Sequence, residues 1–361
     1  MSMILLIGAG LFLKSFSRAR GVEPGFVAEE LLTANLRLDL LRYTKAQGQS
    51  FYREIVERVE ALPSVRAASL ARIVPLAGGA RTTTLGLPDS ARAPLGAVEP
   101  PLVQTNLVGP NYFETMGIAL LQGRDFAEGD IESSPGVVIV NENFVSRYFP
   151  SEDVLGKRIR LGRADSPWRE IIGVARDSKY RTLGEEPAPH VYQPLGQQQE
   201  TGVVLLARTK VDPRLVLGEV RSILLSMEPR LPIVDLGPLT TLVASSLFPA
   251  RMGARLLTAF ATLALALAAL GLYGVTSYGV SRRKREMGIR VALGAHTGHL
   301  IRLVVGEGLI LVGAGVLLGG LGAAGASRLV RSFLYRVSPT DPAVFALIAL
   351  LLTLVMLIAT Y

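Results

Sequence analysis

A run of 25 residues without a charge, LLTAFATLALALAALGLYGVTSYGV at 256–280, constrains this chain more than any other feature. Roughly 20 apolar residues at 1.5 Å each cross the hydrocarbon core of a bilayer, so the run predicts a membrane helix. A second run at 303–327 carries one charge, Glu307, near its start, where a carboxylate reaches the interface or a neighbouring helix. A third fills 343–361. Composition agrees: 49% of the 361 residues are hydrophobic and only 19% charged, too apolar for an ordinary soluble domain of that size. The N-terminal stretch MSMILLIGAGLFL is shorter, 13 residues before Lys14. It reads either as a signal peptide, though without a basic leader or a small-x-small cleavage site, or as part of a first membrane helix over 1–14. The expectation is a chain that begins inside its first membrane helix and ends inside its fourth.

Charge orients these segments. The net charge is +8, and residues 281–302 hold Arg282, Arg283, Lys284, Arg285, Arg290 and Arg302 against Glu286 alone. The loop 328–342 has only Arg328, Arg331 and Arg336, so the loop 281–302 is expected in the cytoplasm. That orientation puts Lys14, Arg18 and Arg20 outside, against the rule. Because the basic excess is concentrated in one loop and residues 1–280 are nearly neutral, a nucleic-acid partner is excluded. The absence of cysteine removes disulfides, thiolate metal sites and a Cys nucleophile.

Residues 15–250 are too long for a connecting loop and must fold around cores of their own. ELLTANLRLDL reads as a strand, QSFYREIVERVEALP as an amphipathic helix with Phe51, Ile55, Val59 and Leu62 on one face, and VRAASLARIV as a strand. A matching unit returns late: the strand GVVLLARTK, a helix with Asp212 as N-cap and Pro213 at its first position, and the strand LPIVDLGPL. One lobe is therefore expected from both ends of the domain, about 27–99 plus 200–245. An inserted, more β-rich lobe covers about 100–197, where VVIVNENFVSRYF passes from strand to helix and IRLG and REIIGVARD are strands joined by a polar turn at 163–167. The fold class is a large two-lobed α/β domain attached to an α-helical membrane domain of four helices.

SRRKREMGIRVALGA, 281–295, carries charge and apolar side chains together. As a helix it places Arg283, Met287, Arg290, Val291 and Gly294 on one face and Arg282, Ile289, Ala292 and Leu293 opposite. A helix apolar on two sides sits between two surfaces. The residues alone leave two readings: an interfacial helix whose arginines meet anionic lipid, and a helix docked against a cytoplasmic protein.

Three passages carry a resemblance: GPNYFETMGIALLQGRDF, VVIVNENFVSRYFPSEDVLGKRIRLG and RRKREMGIRVALGA. In this order, within one membrane helix, a large outer domain and three further helices, the chain resembles the FtsX-like permeases of MacB type, membrane subunits of a class of ABC transporters. The wording is most similar to one unit of the duplicated orphan permeases, and it departs at both ends, where the first helix is incomplete and no basic segment follows Tyr361. The resemblance implies a multi-pass protein of the bacterial cytoplasmic membrane with a MacB-like core domain at 15–250 and an FtsX-like permease domain at 251–361. It implies a permease that couples ATP binding and hydrolysis in a cytoplasmic ABC ATPase to movement of the outer domain for export, or an FtsX-like regulator that activates an extracytoplasmic hydrolase. A membrane-anchored enzyme is a third reading, the weakest, since no nucleophile and base stand together. The implied partners are the ATPase, a second permease unit or a second copy, a membrane-fusion or other extracytoplasmic protein, and the lipid bilayer. The implied coupling surface is Arg283, Glu286, Met287, Gly288, Ile289, Arg290, Val291, Ala292, Leu293 and Gly294, whose glycines let a partner approach closely.

No cofactor is expected on this chain, and ATP is expected on the partner. Gly156-Lys157-Arg158 lacks the upstream glycine and the hydroxyl of a P-loop. His296 and His299 have no third ligand nearby and read as solvated. Asp125, Glu128, Asp130 and Glu132 lack the spacing of a calcium loop and read as a polar turn. Neither GxSxG nor HExxH occurs. In the run 303–327, Gly315 and Gly319 form a GxxxG pair for close helix packing.

Overall fold

The computed structural model describes residues 2–20, 23–41, 43–77, 79–88, 100–150, 152–198, 200, 202–246, 248–282, 306, 313–326, 338 and 340–360. They form two compact units, Met1–Val22 with Leu247–Tyr361, and Glu23–Ser246.

After α1 (Ser2–Arg20), the unit Glu23–Ser246 opens with β1 (Leu31–Arg37), α2 (Lys45–Glu60) and β2 (Val65–Ala71). α2 starts at a reciprocal cap: Thr44 Oγ1 accepts from Gln47 N and Gln47 Oε1 accepts from Thr44 N, which satisfies two donors the helix leaves free. Next come β3 (Arg81–Gly86), β4 (Leu102–Val108), α3 (Tyr112–Met116), β5 (Leu120–Gly123), β6 (Val137–Asn141), α4 (Glu142–Tyr148), β7 (Arg158–Leu161), β8 (Trp168–Ala175) and β9 (His190–Pro194). β10 (Gly202–Thr209), α5 (Pro213–Met227), β11 (Ile233–Pro238) and α6 (Leu239–Ser246) complete the unit. The α5 start carries Asp212 as N-cap, accepting from Arg214 N, with Pro213 following.

The strands run in the order β11-β1-β10-β2-β4-β3-β7-β8-β6-β9. The first four are antiparallel neighbours, the arrangement of a split β-α-β fold, with α2 and α5 contributing Phe51, Ile55, Val59, Val216, Val220 and Leu224 to one core. In the second half, β9 also pairs in parallel with β4, so β4, β3, β7, β8, β6 and β9 close on themselves. Their interior is a separate core, to which α4 and the turn after it add Phe144, Tyr148 and Phe149. The ring corrects the lobe boundary: 81–86, expected within the first lobe, is β3, and its Leu85 packs in the ring.

The membrane-type unit joins α1 to α7 (Phe248–Arg282), to a helix over Gly313–Ala326 and to the last helix, Pro342–Thr360. α1 extends six residues beyond the expected end at 14, through Lys14 to Arg20. Among the described residues one helix is long and apolar enough to cross a membrane, over Arg251–Gly271 with mean hydropathy 1.8, and it is mostly exposed, unlike the core helix of a soluble protein. Leu263, Leu267, Leu270, Leu317, Leu321 and Leu350 point outward, whereas Ala261, Ala264 and Ala323 are buried. Leu6, Ile7, Leu11, Val344 and Ile348 pack with those alanines at the helix contacts, and the outward leucines suit a hydrocarbon surround.

Candidate functional site

The expected coupling surface, 283–294, lies outside the described residues, as do His296 and His299. The structure describes its approach, α7, which ends at the exposed Arg282. Of the glycine pair in 303–327, only Gly319 meets another helix: a Cβ there would sit 2.9 Å from Met3 Cβ. Among the described residues Gly315 has nothing within 4 Å. The second close glycine is Gly322, 3.2 Å from Ile4 Cδ1, so the contact with α1 follows positions three apart rather than four. On α1 itself, a Cβ at Gly10 would sit 2.9 Å from Val344 Cγ1 of the helix Pro342–Thr360.

Lys14 Nζ lies 2.6 Å from Asp341 Oδ2, tying α1 to the start of the last helix. The Asp341 carboxylate also accepts from Ala343 N at 3.1 Å and Val344 N at 3.3 Å, capping that helix. Of the three cations that defied the expected orientation, Lys14 thus has its own counter-charge. Reasoning from sequence missed the pair because the partners are 327 residues apart.

The first of the three motif passages builds the joint between the four-stranded sheet and the ring. β2 and β4 share one residue pair, Ala71 with Val108, flanked by Gly109 N donating to Leu70 O at 2.8 Å and Arg72 N to Leu107 O at 2.9 Å. From β4 the chain turns through Asn111, at φ 60°, into α3, whose Tyr112, Phe113 and Met116 are fully buried. Tyr112 and Phe113 pack on Tyr192 with centroids 6.0 and 4.9 Å away, and the Tyr112 and Tyr180 hydroxyls are 2.9 Å apart. Asn106 Nδ2 donates to Tyr180 Oη at 3.1 Å and to Ile73 O at 2.8 Å, while its Oδ1 accepts from Ile73 N at 3.0 Å. Burial raises the pKa of all three tyrosines, so they stay neutral. His190, stacked 4.1 Å from Tyr180, is pushed down to about 3 by burial and is neutral too. The joint is therefore a neutral aromatic plug, with no group poised to exchange a proton near neutral pH.

The second passage holds the ring together. Asn141 ends β6 and caps α4: its Oδ1 accepts from Phe144 N at 3.1 Å and His190 N at 2.8 Å, and its Nδ2 donates to Ala188 O at 2.9 Å and Asp177 Oδ1 at 2.6 Å. Asp125 and its neighbours form a turn closed by Arg124, which donates to Asp130 through both terminal nitrogens at 2.9 and 3.1 Å. Burial lifts the Asp125 carboxyl to about 6, against the Phe126 N–H that holds it down, and Glu114 adds to the rise. Among the described residues no three His, Cys, Asp or Glu gather as metal ligands.

Residues 12–223 match the MacB-like periplasmic core domain family and residues 258–361 the FtsX-like permease C-terminal family. A macrolide export ATP-binding/permease protein MacB 1/2 of Paracoccus denitrificans is 30% identical over 74% of this chain and 40% of its own length. The macrolide export ATP-binding/permease protein MacB of Hahella chejuensis is 27% identical over 59% of this chain and 34% of its own. This chain thus spans well under half of those relatives. Among solved structures, the periplasmic region of MacB from Actinobacillus actinomycetemcomitans aligns over 64% of this chain and 97% of that one, with 15% identity and a TM-score of 0.41.

Proposed function

This chain belongs to the FtsX/MacB-type permeases, and from that premise we propose that it is the permease subunit of an ABC transporter in the bacterial cytoplasmic membrane. On this reading the protein has four membrane helices, Glu23–Ser246 is extracytoplasmic, and 283–294 docks on a cytoplasmic ABC ATPase that alone binds ATP. A second permease unit completes the membrane assembly. ATP binding in the partner is converted into movement of the outer domain, which extrudes a substrate.

The observation that carries the reading is α7. It is one unbroken helix of 35 residues over Phe248–Arg282. At 1.5 Å per residue it is about 50 Å long, against roughly 30 Å of hydrocarbon. Within those 35 residues a displacement at the cytoplasmic end meets no break in the helix.

The test places a photo-crosslinking residue at position 289 of the full-length protein in its native membrane. The expected product is a crosslink to an ABC ATPase, and Leu293→Glu or Gly294→Trp should abolish both co-purification and stimulated ATP hydrolysis. A buried unpaired carboxylate costs several kcal/mol, and a bulky side chain blocks approach. Retention of association and activity by both variants would overturn the coupling assignment.

A further inference from the structure

The six strands that close on themselves hold Leu85, Val103, Ile159, Ile171 and Val191 in their interior. Strand side chains alternate with period two, so the positions two residues along face the same way. At one end those positions are polar: Thr83 and then Arg81 on β3, Thr105 on β4, Arg169 on β8 and Gln193 on β9. The register agrees, with Arg81 opposite Thr105, Thr83 opposite Val103 and Arg169 opposite Ile159. This end lies away from α4, which leaves β6 at Asn141, whereas Val137 at the other end of β6 pairs with Glu170.

These residues line a cavity of about 400 Å³ at the mouth of the ring, joined by Arg72, Ser166 and Glu200. Glu200 is shared between Arg72 and Arg81, the latter at 3.2 Å. Arg169 is partly buried, and its Nη1 donates to a neutral acceptor, Gln197 Oε1, at 3.2 Å; no carboxylate among the described residues pairs with it. Three guanidinium groups therefore face one carboxylate, beside the hydroxyls of Thr83, Thr105 and Ser166. A planar guanidinium fork matches the oxygens of a phosphate, and a cation excess beside the partly buried Arg169 is stabilised by an anion. Mouths of small barrels are also a common place for ligands.

We propose that this mouth binds a phosphate-bearing molecule carrying hydroxyl groups, with its phosphate on Arg169 and Arg81 and its hydroxyls against the threonines. Glycerol phosphate, free or as a lipid headgroup, has that chemistry. The site is independent of the coupling segment, and its test leaves the ATPase out.

The full chain in detergent, in phosphate-free buffer, is titrated calorimetrically with inorganic phosphate, with glycerol 3-phosphate, and with a short-chain phosphatidylglycerol below its micelle concentration. Saturable binding of either glycerol phosphate, weakened by about tenfold or more in Arg81→Gln and Arg169→Gln and by added salt, is the expected result. The tighter of the two identifies the source as free metabolite or lipid. Arg81 is more than half exposed, so Arg81→Gln keeps the fold and decides the matter even if Arg169→Gln does not. No saturable binding of any of the three up to about 10 mM, or equal binding by wild type and Arg81→Gln, would overturn the proposal.

Discussion

Gly123 adopts φ 78°, and a Cβ there would collide with the carbonyl oxygen of Ile172 on β8. Gly123→Ala should therefore cost about 2–4 kcal/mol, from left-handed strain plus backbone displacement, while Gly129→Ala, with nothing within 4 Å, should stay near neutral. Urea titrations following the single tryptophan, Trp168 on β8, measure both. Asp125 supplies a pH-dependent case. Its carboxyl is raised to about 6 from 3.8, so between those values the folded state binds more protons than the unfolded one and stability falls as pH rises. Asp125→Asn should match wild type near pH 4 and be more stable by about 1 kcal/mol at pH 7, the full linkage value discounted for partial exposure. Unfolding curves at the two pH values check the difference. Neither property was readable in the sequence beforehand. GRDF announced a polar turn, but a backbone φ and a buried carboxylate depend on what packs above them.

The strand-helix-strand units could be read from sequence because their helices have an apolar stripe and explicit caps, Thr44 and Asp212. β3, β4, β5 and β9 escaped. RTTTLG is polar where it lines the mouth, HVYQP ends in proline, and the β4–β9 pairing that closes the ring joins segments more than 80 residues apart, with no local signature. Asn141 is where the closure is most vulnerable. Asn141→Ala removes a helix cap and the acceptor for His190 N, and should cost about 2–3 kcal/mol in the same urea assay. Among the membrane-type helices, Gly319 and Gly322 of 313–326 lie against α1. Gly319→Leu and Gly322→Leu should lower the midpoint of thermal unfolding in detergent, whereas Gly315→Leu should leave it within a degree or two, since no neighbour among the described residues lies within 4 Å.

Cysteine is absent from the sequence, so one introduced thiol is unique and reports topology directly. The orientation proposed from charge places position 125 outside and 285 in the cytoplasm. An impermeant thiol reagent on intact cells should label Asp125→Cys and spare Arg285→Cys, and the reverse pattern would invert the protein. Both cores of Glu23–Ser246 lie entirely within that unit, so residues 23–246 produced alone should fold, with a cooperative unfolding transition as the readout.

The Lys14–Asp341 pair also bears on how the protein is made. A ribosome adding about 5–20 residues per second needs on the order of half a minute to get from one partner to the other. During that interval α1 is already synthesised, with a lysine whose counter-charge does not yet exist, held at the interface by its long side chain. The helix that starts at Pro342 supplies what α1 lacks. A nascent chain halted before residue 341 would thus present an unneutralised cation on α1, a ready mark that distinguishes copies lacking that helix from copies that carry it.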